Sequence, residues 1–152
     1  FIGTMNPEDS STEKLSDVLL DRFDIIYMTY PHSEQIEIKI VEEKSQKICS
    51  VPDNFIKLMI KFVRILRESK DLEKKPSVRA SIGLYERSQA NAKLDNRDKV
   101  NLEDIKESII SVLSHRIRLK PSVKYLESPV EFIRKQFSMH EEDLLSSCAG
   151  EG

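Results

Sequence analysis

Residues 50–68, Ser-Val-Pro-Asp-Asn-Phe-Ile-Lys-Leu-Met-Ile-Lys-Phe-Val-Arg-Ile-Leu-Arg-Glu, carry the clearest structural pattern in the chain. The segment opens with a proline that the first turn of a helix tolerates. Its apolar residues then recur at intervals of three and four, which places them on one face of a helix. These residues are Phe55, Leu58, Met59, Phe62, Val63 and Leu66. The pattern predicts an amphipathic helix that packs against other helices.

Three further segments downstream also have helical patterns. The first opens at Ser77. The second begins at Asn101, with Asp104 at the capping-box position, and is expected to continue until Pro121 stops it. The third begins at Ser128, with Glu131 at the capping-box position, and the polar tail from Ser146 to Gly152 is expected to fray. We predict a mainly α fold with one helical bundle from about residue 50 to 120. Its core is expected to contain Phe55, Leu58, Phe62, Tyr85, Ile105, Ile109 and Leu113.

Residues 1–48 have less regular patterns than the rest. Phe1–Thr4 and Ile25–Tyr30 are rich in apolar or β-branched residues and predict two short strands, with a short helix between them. In residues 33–48, isoleucines alternate as in a strand, whereas the charged residues around them favour a helix. Both interpretations stay open from the residues alone, and Ser69–Lys75 is expected to be a charged connection.

Composition narrows the possible classes of function. The chain has 152 residues, of which 33% are charged, and a net charge of -2, so it has no strong basic field for nucleic acid. No apolar stretch is long enough to span a bilayer. Cys49 and Cys148 are isolated and have no metal-ligand spacing. We expect a cytoplasmic protein without a metal site in this chain.

Three polar residues occur where a phosphate group could be contacted. Asn6 follows the first predicted strand, Arg22 follows the short helix, and Arg79 opens the helix after Ser77. Arginine presents a rigid fork of donors that matches phosphate oxygens, and a helix N-terminus favours anions. Each residue also has an ordinary interpretation, because Asn6 precedes Pro7 in a turn-like sequence and both arginines could be solvated surface charges.

The ordered set of motifs resembles the later half of an AAA+ ATPase module of the magnesium-chelatase subunit I and MoxR-like family. Ile2–Glu8 is similar to the sensor 1 strand and turn, Leu19–Asp24 to the arginine-finger segment, and Pro76–Ala80 to sensor 2. Asn101–Ile105 and Val112–Arg118 resemble the end of the chelatase-type lid. The resemblance covers about residues 1–120. It implies a helical AAA+ lid bundle with a short α/β remnant of the AAA+ core at the N-terminus.

The resemblance also implies a division of the chain and of its functional residues. Residues 1–31 would end the AAA+ core, 32–48 would be a linker or connecting helix, 49–126 the lid, and 127–152 a C-terminal helix and tail. Arg22 would be a catalytic finger that reaches a neighbouring subunit, and Asn6 would orient the attacking water. Arg79 would contact the γ-phosphate of ATP, in its own subunit or in the adjacent one.

The cofactors implied for the full-length protein are ATP and Mg²⁺. The implied partners are the neighbouring subunits of a homo-oligomeric ring, typically a hexamer, and a protein substrate or adaptor. The chain has four glycines, and none forms a G-x-x-x-x-G-K-[ST] phosphate loop. No apolar run ends in the acidic pair of a Walker B strand. We therefore expect a C-terminal part of a longer ATPase, inactive in ATP hydrolysis on its own.

Two alternative functions remain open at this point. One is a non-catalytic helical interaction module, in which Arg22 and Arg79 are surface charges. The other is a fragment of a DNA helicase of the minichromosome-maintenance type, which the near-neutral charge disfavours. The loop at residues 8–12 is richer in hydroxyl groups and poorer in glycine than the usual chelatase pattern, which argues against porphyrin metalation as the activity.

Overall fold

The computed structural model describes residues 2–5 and 15–149, with side chains described as far as residue 146. The described residues form helices and one small sheet, so the prediction of a mainly α fold is confirmed. In chain order the elements are α1 (Asp17–Leu20), α2 (Glu34–Lys44), α3 (Asp53–Glu68), β1 (Leu72–Lys74), α4 (Val78–Leu94), α5 (Leu102–Leu113), β2 (Arg118–Leu119), α6 (Pro121–Lys124) and α7 (Pro129–Ala149).

Both predicted capping boxes are present. At the start of α5, the Asn101 side chain accepts from the Asp104 amide at 3.0 Å, and the Asp104 carboxylate accepts from the Asn101 amide at 2.8 Å. At the start of α7, Glu131 accepts from the Ser128 amide at 2.8 Å, and the Ser128 hydroxyl accepts from the Glu131 amide at 3.3 Å. Each box satisfies amide groups that the first helical turn leaves without a partner, and thereby fixes where the helix begins.

The core lies between α3, α4, α5 and α7. Helix α4 packs against α5 and α3, and α7 packs against α3 and α5. Every residue of the predicted core is buried except Phe55, which is partly buried and packs against the core. The rings of Phe62 in α3 and Phe137 in α7 meet edge to face, with centroids 5.2 Å apart. Aromatic pairs favour this arrangement, which joins two elements distant in the sequence.

The small sheet was not predicted. Strand β1 lies in Ser69–Lys75, for which the sequence predicts a charged connection. It pairs antiparallel with β2 through Leu72 opposite Leu119. Both leucines are buried. Helix α5 ends at Leu113, whereas the apolar pattern had predicted a helix that continues toward Pro121. Ile117 and Leu119 are both buried, and residues two apart lie on the same face of an extended chain.

The two predicted N-terminal strands are absent from the described residues. Residues 2–5 and 25–31 have no regular secondary structure, and Ile26, Tyr27 and Met28 are exposed. A strand needs a partner for its backbone N–H and C=O groups, and no described residue supplies one here. Among the described residues of the expected α/β remnant, the only regular element is the single-turn helix α1. Within residues 32–48, for which the resemblance implies a linker or connecting helix, the structure has helix α2.

Replacing Ile109 with alanine should destabilise this chain by about 2–5 kcal/mol, because the change removes buried methyl groups and leaves a cavity. Ile109 is 2% exposed in the core. Denaturant unfolding of the purified chain measures the effect. Ile36→Ala is a matched control, because Ile36 is 48% exposed on α2 and its loss should cost less than about 0.5 kcal/mol. Equal effects for the two variants would contradict the position of the core.

Candidate functional site

Arg79 lies in the first turn of α4. The helix begins after Ser77, whose backbone is extended and whose side chain makes no capping hydrogen bond. The Arg79 side chain is exposed, and its guanidinium has no hydrogen-bond or ion-pair partner among the residues that the structure describes. The start of α4 therefore presents an unpaired cation beside helix N-terminal amides, two features that both attract an anion.

Arg22 follows the single-turn helix α1. Its backbone amide donates to the Leu19 carbonyl at 3.1 Å, and its side chain is exposed. Neither Asp21 nor Asp24 forms an ion pair with it in the described part of the chain. Helix α1 has no buried residue, so packing within the described chain does not hold Arg22 in place.

Asn6 lies outside the described residues, and its sensor 1 role stays a prediction. Arg22 and Arg79 lie in separate segments of the chain and share no hydrogen-bonding partner within the described ranges. The catalytic and nucleotide-contacting roles of these residues therefore also stay predictions. Among the described residues, no group of three or more His, Cys, Asp or Glu side chains could hold a metal ion.

A buried carboxylate on α2 is the main polar feature that the sequence did not indicate. Glu37 is fully buried, and Arg67 of α3 donates to both of its oxygens, at 2.7 and 2.6 Å. The Ser81 hydroxyl of α4 donates to the same carboxylate at 2.5 Å, and Arg64 of α3 approaches it to 3.6 Å. Glu37, Arg64, Arg67 and Ser81 are called the Glu37 cluster below.

The Glu37 cluster also contacts the segments that precede α2 and α4. Arg67 donates from Nε to the Pro76 carbonyl at 2.8 Å, just before α4, and its guanidinium carbon lies 4.8 Å from the ring centre of Tyr30. Arg64 donates to the carbonyls of Pro31 and His32, at 3.2 and 3.5 Å. The cluster thus ties residues 30–32, α2, α3 and the start of α4 to one another.

Opposing effects act on the pKa of Glu37. Burial alone raises the pKa of a carboxyl group, because it disfavours the charged form. Hydrogen bonds from Arg67 and Ser81, together with the positive charges of Arg67 and Arg64, outweigh burial and hold the pKa of Glu37 below its ordinary value. The carboxylate therefore remains charged at neutral pH, as a bidentate pair with arginine requires.

Sequence reasoning missed the Glu37 cluster because its members are far apart in the chain and look ordinary in their local context. Arg67 lies in the last turn of α3, where a basic residue suits the helix dipole. Glu37 lies between isoleucines in the segment with an ambiguous pattern. The one available signal was that Arg67 falls near the apolar face of α3, next to Leu66 and four residues after Val63.

Two other buried polar groups hold α4 to its surroundings. The Gln89 amide accepts from the amides of Ile48 and Cys49, at 2.8 and 3.1 Å, and donates to the Gln46 carbonyl at 3.0 Å. The Asn91 side chain donates to the backbone carbonyl of Asp104 at 3.1 Å. These bonds pin the loop before α3 and the start of α5 to α4, so the middle and end of α4 are fixed as well as its beginning.

An ion pair between Arg97 and Asp104 closes the turn between α4 and α5. Arg97 donates to both carboxylate oxygens of Asp104, at 2.7 and 2.6 Å, and Asp104 is 3% exposed. Hydrogen bonds from Arg97 lower the pKa of Asp104, against the effect of burial. This pair joins the capping box of α5 to the turn that follows α4, and we assign it a structural role.

Comparison with known proteins finds a similarity within the helical region. Residues 66–135 match the family model of the AAA lid domain, a range that includes Arg67, Arg79 and Ser81. No curated protein matches the chain. The described helices include none that is long and apolar enough to cross a membrane.

A solved structure has a similar fold. It is the 2.00 Å crystal structure of a "putative ATPase" from Cytophaga hutchinsonii, with 24% sequence identity and a TM-score of 0.55. The match covers 88% of this chain and 51% of that one, so this chain spans about half the length of the solved structure. Residues 66–135 of this chain are thus similar to the AAA lid domain of the AAA+ family.

Proposed function

We propose that the chain is part of an AAA+ ATPase of the magnesium-chelatase subunit I and MoxR-like branch. Its helical domain would couple ATP binding and hydrolysis to the remodelling of a protein partner or of a chelatase complex. The observation that carries this proposal is the exposed, unpaired Arg79 in the first turn of α4, within the range that matches the AAA lid domain.

The chemistry of Arg79 suits the γ-phosphate of ATP. Its planar guanidinium can donate two parallel hydrogen bonds to phosphate oxygens. The helix dipole at the start of α4 adds to the positive potential in the same place. Bound ATP and Mg²⁺ would supply the phosphoryl group and neutralise part of its charge. Arg79 would hold the terminal phosphate, so that the nucleotide state sets the position of α4.

Arg22 is proposed to act between subunits of a homo-oligomeric ring. An arginine that stabilises the charge of a phosphoryl-transfer transition state must reach the site without a competing partner. The Arg22 side chain is exposed, and neither neighbouring aspartate holds it. We also assign to Asn6 the orientation of the attacking water, on the basis of the motif alone.

Arg79→Ala in the full-length protein tests the proposed function. Losing a charge-assisted contact of about 1.5–3 kcal/mol should weaken ATP affinity or turnover by about ten-fold or more. Steady-state kinetics and binding of an ATP analogue measure the two effects separately. Arg87→Ala is the matched control, because Arg87 is also exposed on α4, two turns further along. The proposal is wrong if both variants retain wild-type binding and turnover in a protein that hydrolyses ATP.

A further inference from the structure

The start of α4 is anchored on both sides of Arg79. Before it, the Pro76 carbonyl accepts from Arg67 at 2.8 Å. After it, the Ser81 hydroxyl donates to Glu37 at 2.5 Å. Arg79 is exposed between these two hydrogen bonds, three residues after Pro76 and two residues before Ser81. Its backbone can therefore move relative to α2 and α3 only if one of the two hydrogen bonds lengthens or breaks.

Burial makes these attachments stiff. Glu37, Arg67 and Ser81 are 0%, 7% and 1% exposed, so water cannot replace a broken bond. A buried polar group that loses its partner carries the full penalty of desolvation. The bidentate geometry between Arg67 and Glu37 also restricts their relative orientation more than a single hydrogen bond would. The cluster therefore favours one arrangement of α2, α3 and the start of α4.

The same side chains hold the segment that precedes α2. Arg64 donates to the carbonyls of Pro31 and His32, and Arg67 lies over the Tyr30 ring. The contact with the aromatic face is a cation–π interaction, whose strength depends on the position of the cation. A displacement of residues 30–32 therefore acts on Arg64 and Arg67, and through Glu37 on Ser81.

The pair of Glu37 and Arg67 places two opposite charges in a buried position, which indicates what the pair contributes to the fold. A buried ion pair is seldom more stabilising than well-packed apolar residues of the same volume, so stability alone gives no reason for one at this position. A buried ion pair can, however, specify a single relative arrangement of the elements that it joins. The elements joined here are those on which the position of Arg79 depends.

We infer that Glu37, Arg67 and Ser81 are positioning residues that set the nucleotide contact of Arg79 by fixing the start of α4 to residues 30–32. The inference rests on the proposed function of Arg79. None of the three residues is assigned a contact with ATP. Their effect on ATP binding or turnover passes through Arg79, and through the bond from Ser81 to Glu37 in particular.

Ser81→Ala in the full-length protein tests the inference without leaving a buried charge unpaired, because Arg67 still holds both oxygens of Glu37. The matched control is Ser88→Ala, which removes an equally buried hydroxyl from the same helix. The Ser88 hydroxyl donates to the Leu84 carbonyl at 2.7 Å and lies 3.0 Å from that of Ser108. Thermal unfolding shows whether the two variants lose comparable stability.

We expect Ser81→Ala to impair the same kinetic parameter as Arg79→Ala, KM or kcat, by about five-fold or more, because a small displacement of a contacting group is costly. Ser88→Ala should change neither parameter by more than about two-fold, as expected for a site remote from the phosphate. In a protein that already carries Arg79→Ala, adding Ser81→Ala should cause no further loss. Such non-additivity is the signature of two residues that act as a unit.

Two results would overturn this inference and leave the proposed function of Arg79 intact. In the first, Ser81→Ala behaves like Ser88→Ala although Arg79→Ala is impaired. In the second, the effects of Ser81→Ala and Arg79→Ala multiply, which means that Ser81 acts independently of Arg79. A different result, in which Arg79→Ala has wild-type binding and turnover, overturns the proposed function and this inference with it.

Discussion

Arg22→Ala in the full-length protein should lower ATP turnover on the order of 10²-fold or more, with ATP binding nearly unchanged. The guanidinium of a finger meets charge that develops mainly in the transition state, so its removal affects kcat more than affinity. Steady-state ATPase assays and equilibrium binding of an ATP analogue measure the two quantities. Arg87→Ala, another exposed arginine, is the control and should retain full turnover.

Mixing experiments test whether Arg22 acts between subunits. A phosphate-loop variant of the full-length protein lacks a working ATP site but keeps its finger, whereas Arg22→Ala keeps the site and lacks the finger. In mixed rings, some interfaces combine the intact site of one subunit with the intact finger of the other, and turnover should be restored there. If mixed rings form and activity does not return, Arg22 is a surface arginine at the end of α1.

Glu37→Ala should destabilise this chain by about 3–5 kcal/mol, because it leaves the buried Arg67 guanidinium without its carboxylate partner. Arg67 is 7% exposed, so water reaches it poorly. Denaturant unfolding measures the loss. Glu43→Ala on the same helix is the matched control, since its 3.9 Å contact with Lys39 is exposed and worth about 1 kcal/mol or less. Similar losses for both variants would mean that the ion pair between Glu37 and Arg67 does not stabilise the folded chain.

The pH dependence of stability gives an independent measure of the same pair. The pKa of Glu37 is lowered in the folded chain, so the unfolded chain binds more protons than the folded one as the pH falls below the ordinary glutamate range. The stabilisation from Glu37 is present above the unfolded-state pKa, and it is lost as the pH falls through the folded-state pKa. Glu37→Gln should lose this component. The difference in unfolding free energy between wild type and variant should therefore shrink on acidification, and a constant difference would contradict the pKa shift.

The sequence predicts those elements whose determinants lie close together in the chain. Helix α3 follows from the spacing of its own apolar residues, and the starts of α5 and α7 follow from capping residues three positions apart. Arg79 could be placed at the start of a helix for the same reason, since Ser77 and the apolar residues after it mark the beginning of α4. These features can be predicted without knowing which elements pack together.

Features that depend on distant contacts could not be predicted in this way. The pairing of Glu37 with Arg67 joins two helices whose relative position no local pattern encodes. Strand β1 contains one buried residue, Leu72, and becomes a strand only because β2 lies beside it. The reverse error was made for residues 25–30, where β-branched and aromatic residues predicted a strand, although the described chain offers that segment no partner.

The pairing of β1 with β2 also has a consequence for the folding kinetics of this domain. Helices α4 and α5 are joined by a short turn and can meet early, whereas Leu72 meets Leu119 only after the whole α4–α5 unit has been enclosed as a loop. Closing a long loop is entropically unfavourable, so such pairs tend to form late. We expect Leu72→Ala or Leu119→Ala to accelerate unfolding and to have little effect on the refolding rate. Stopped-flow experiments across a denaturant series measure both rates. The sheet would then control how long the folded domain persists and have little influence on how fast it forms.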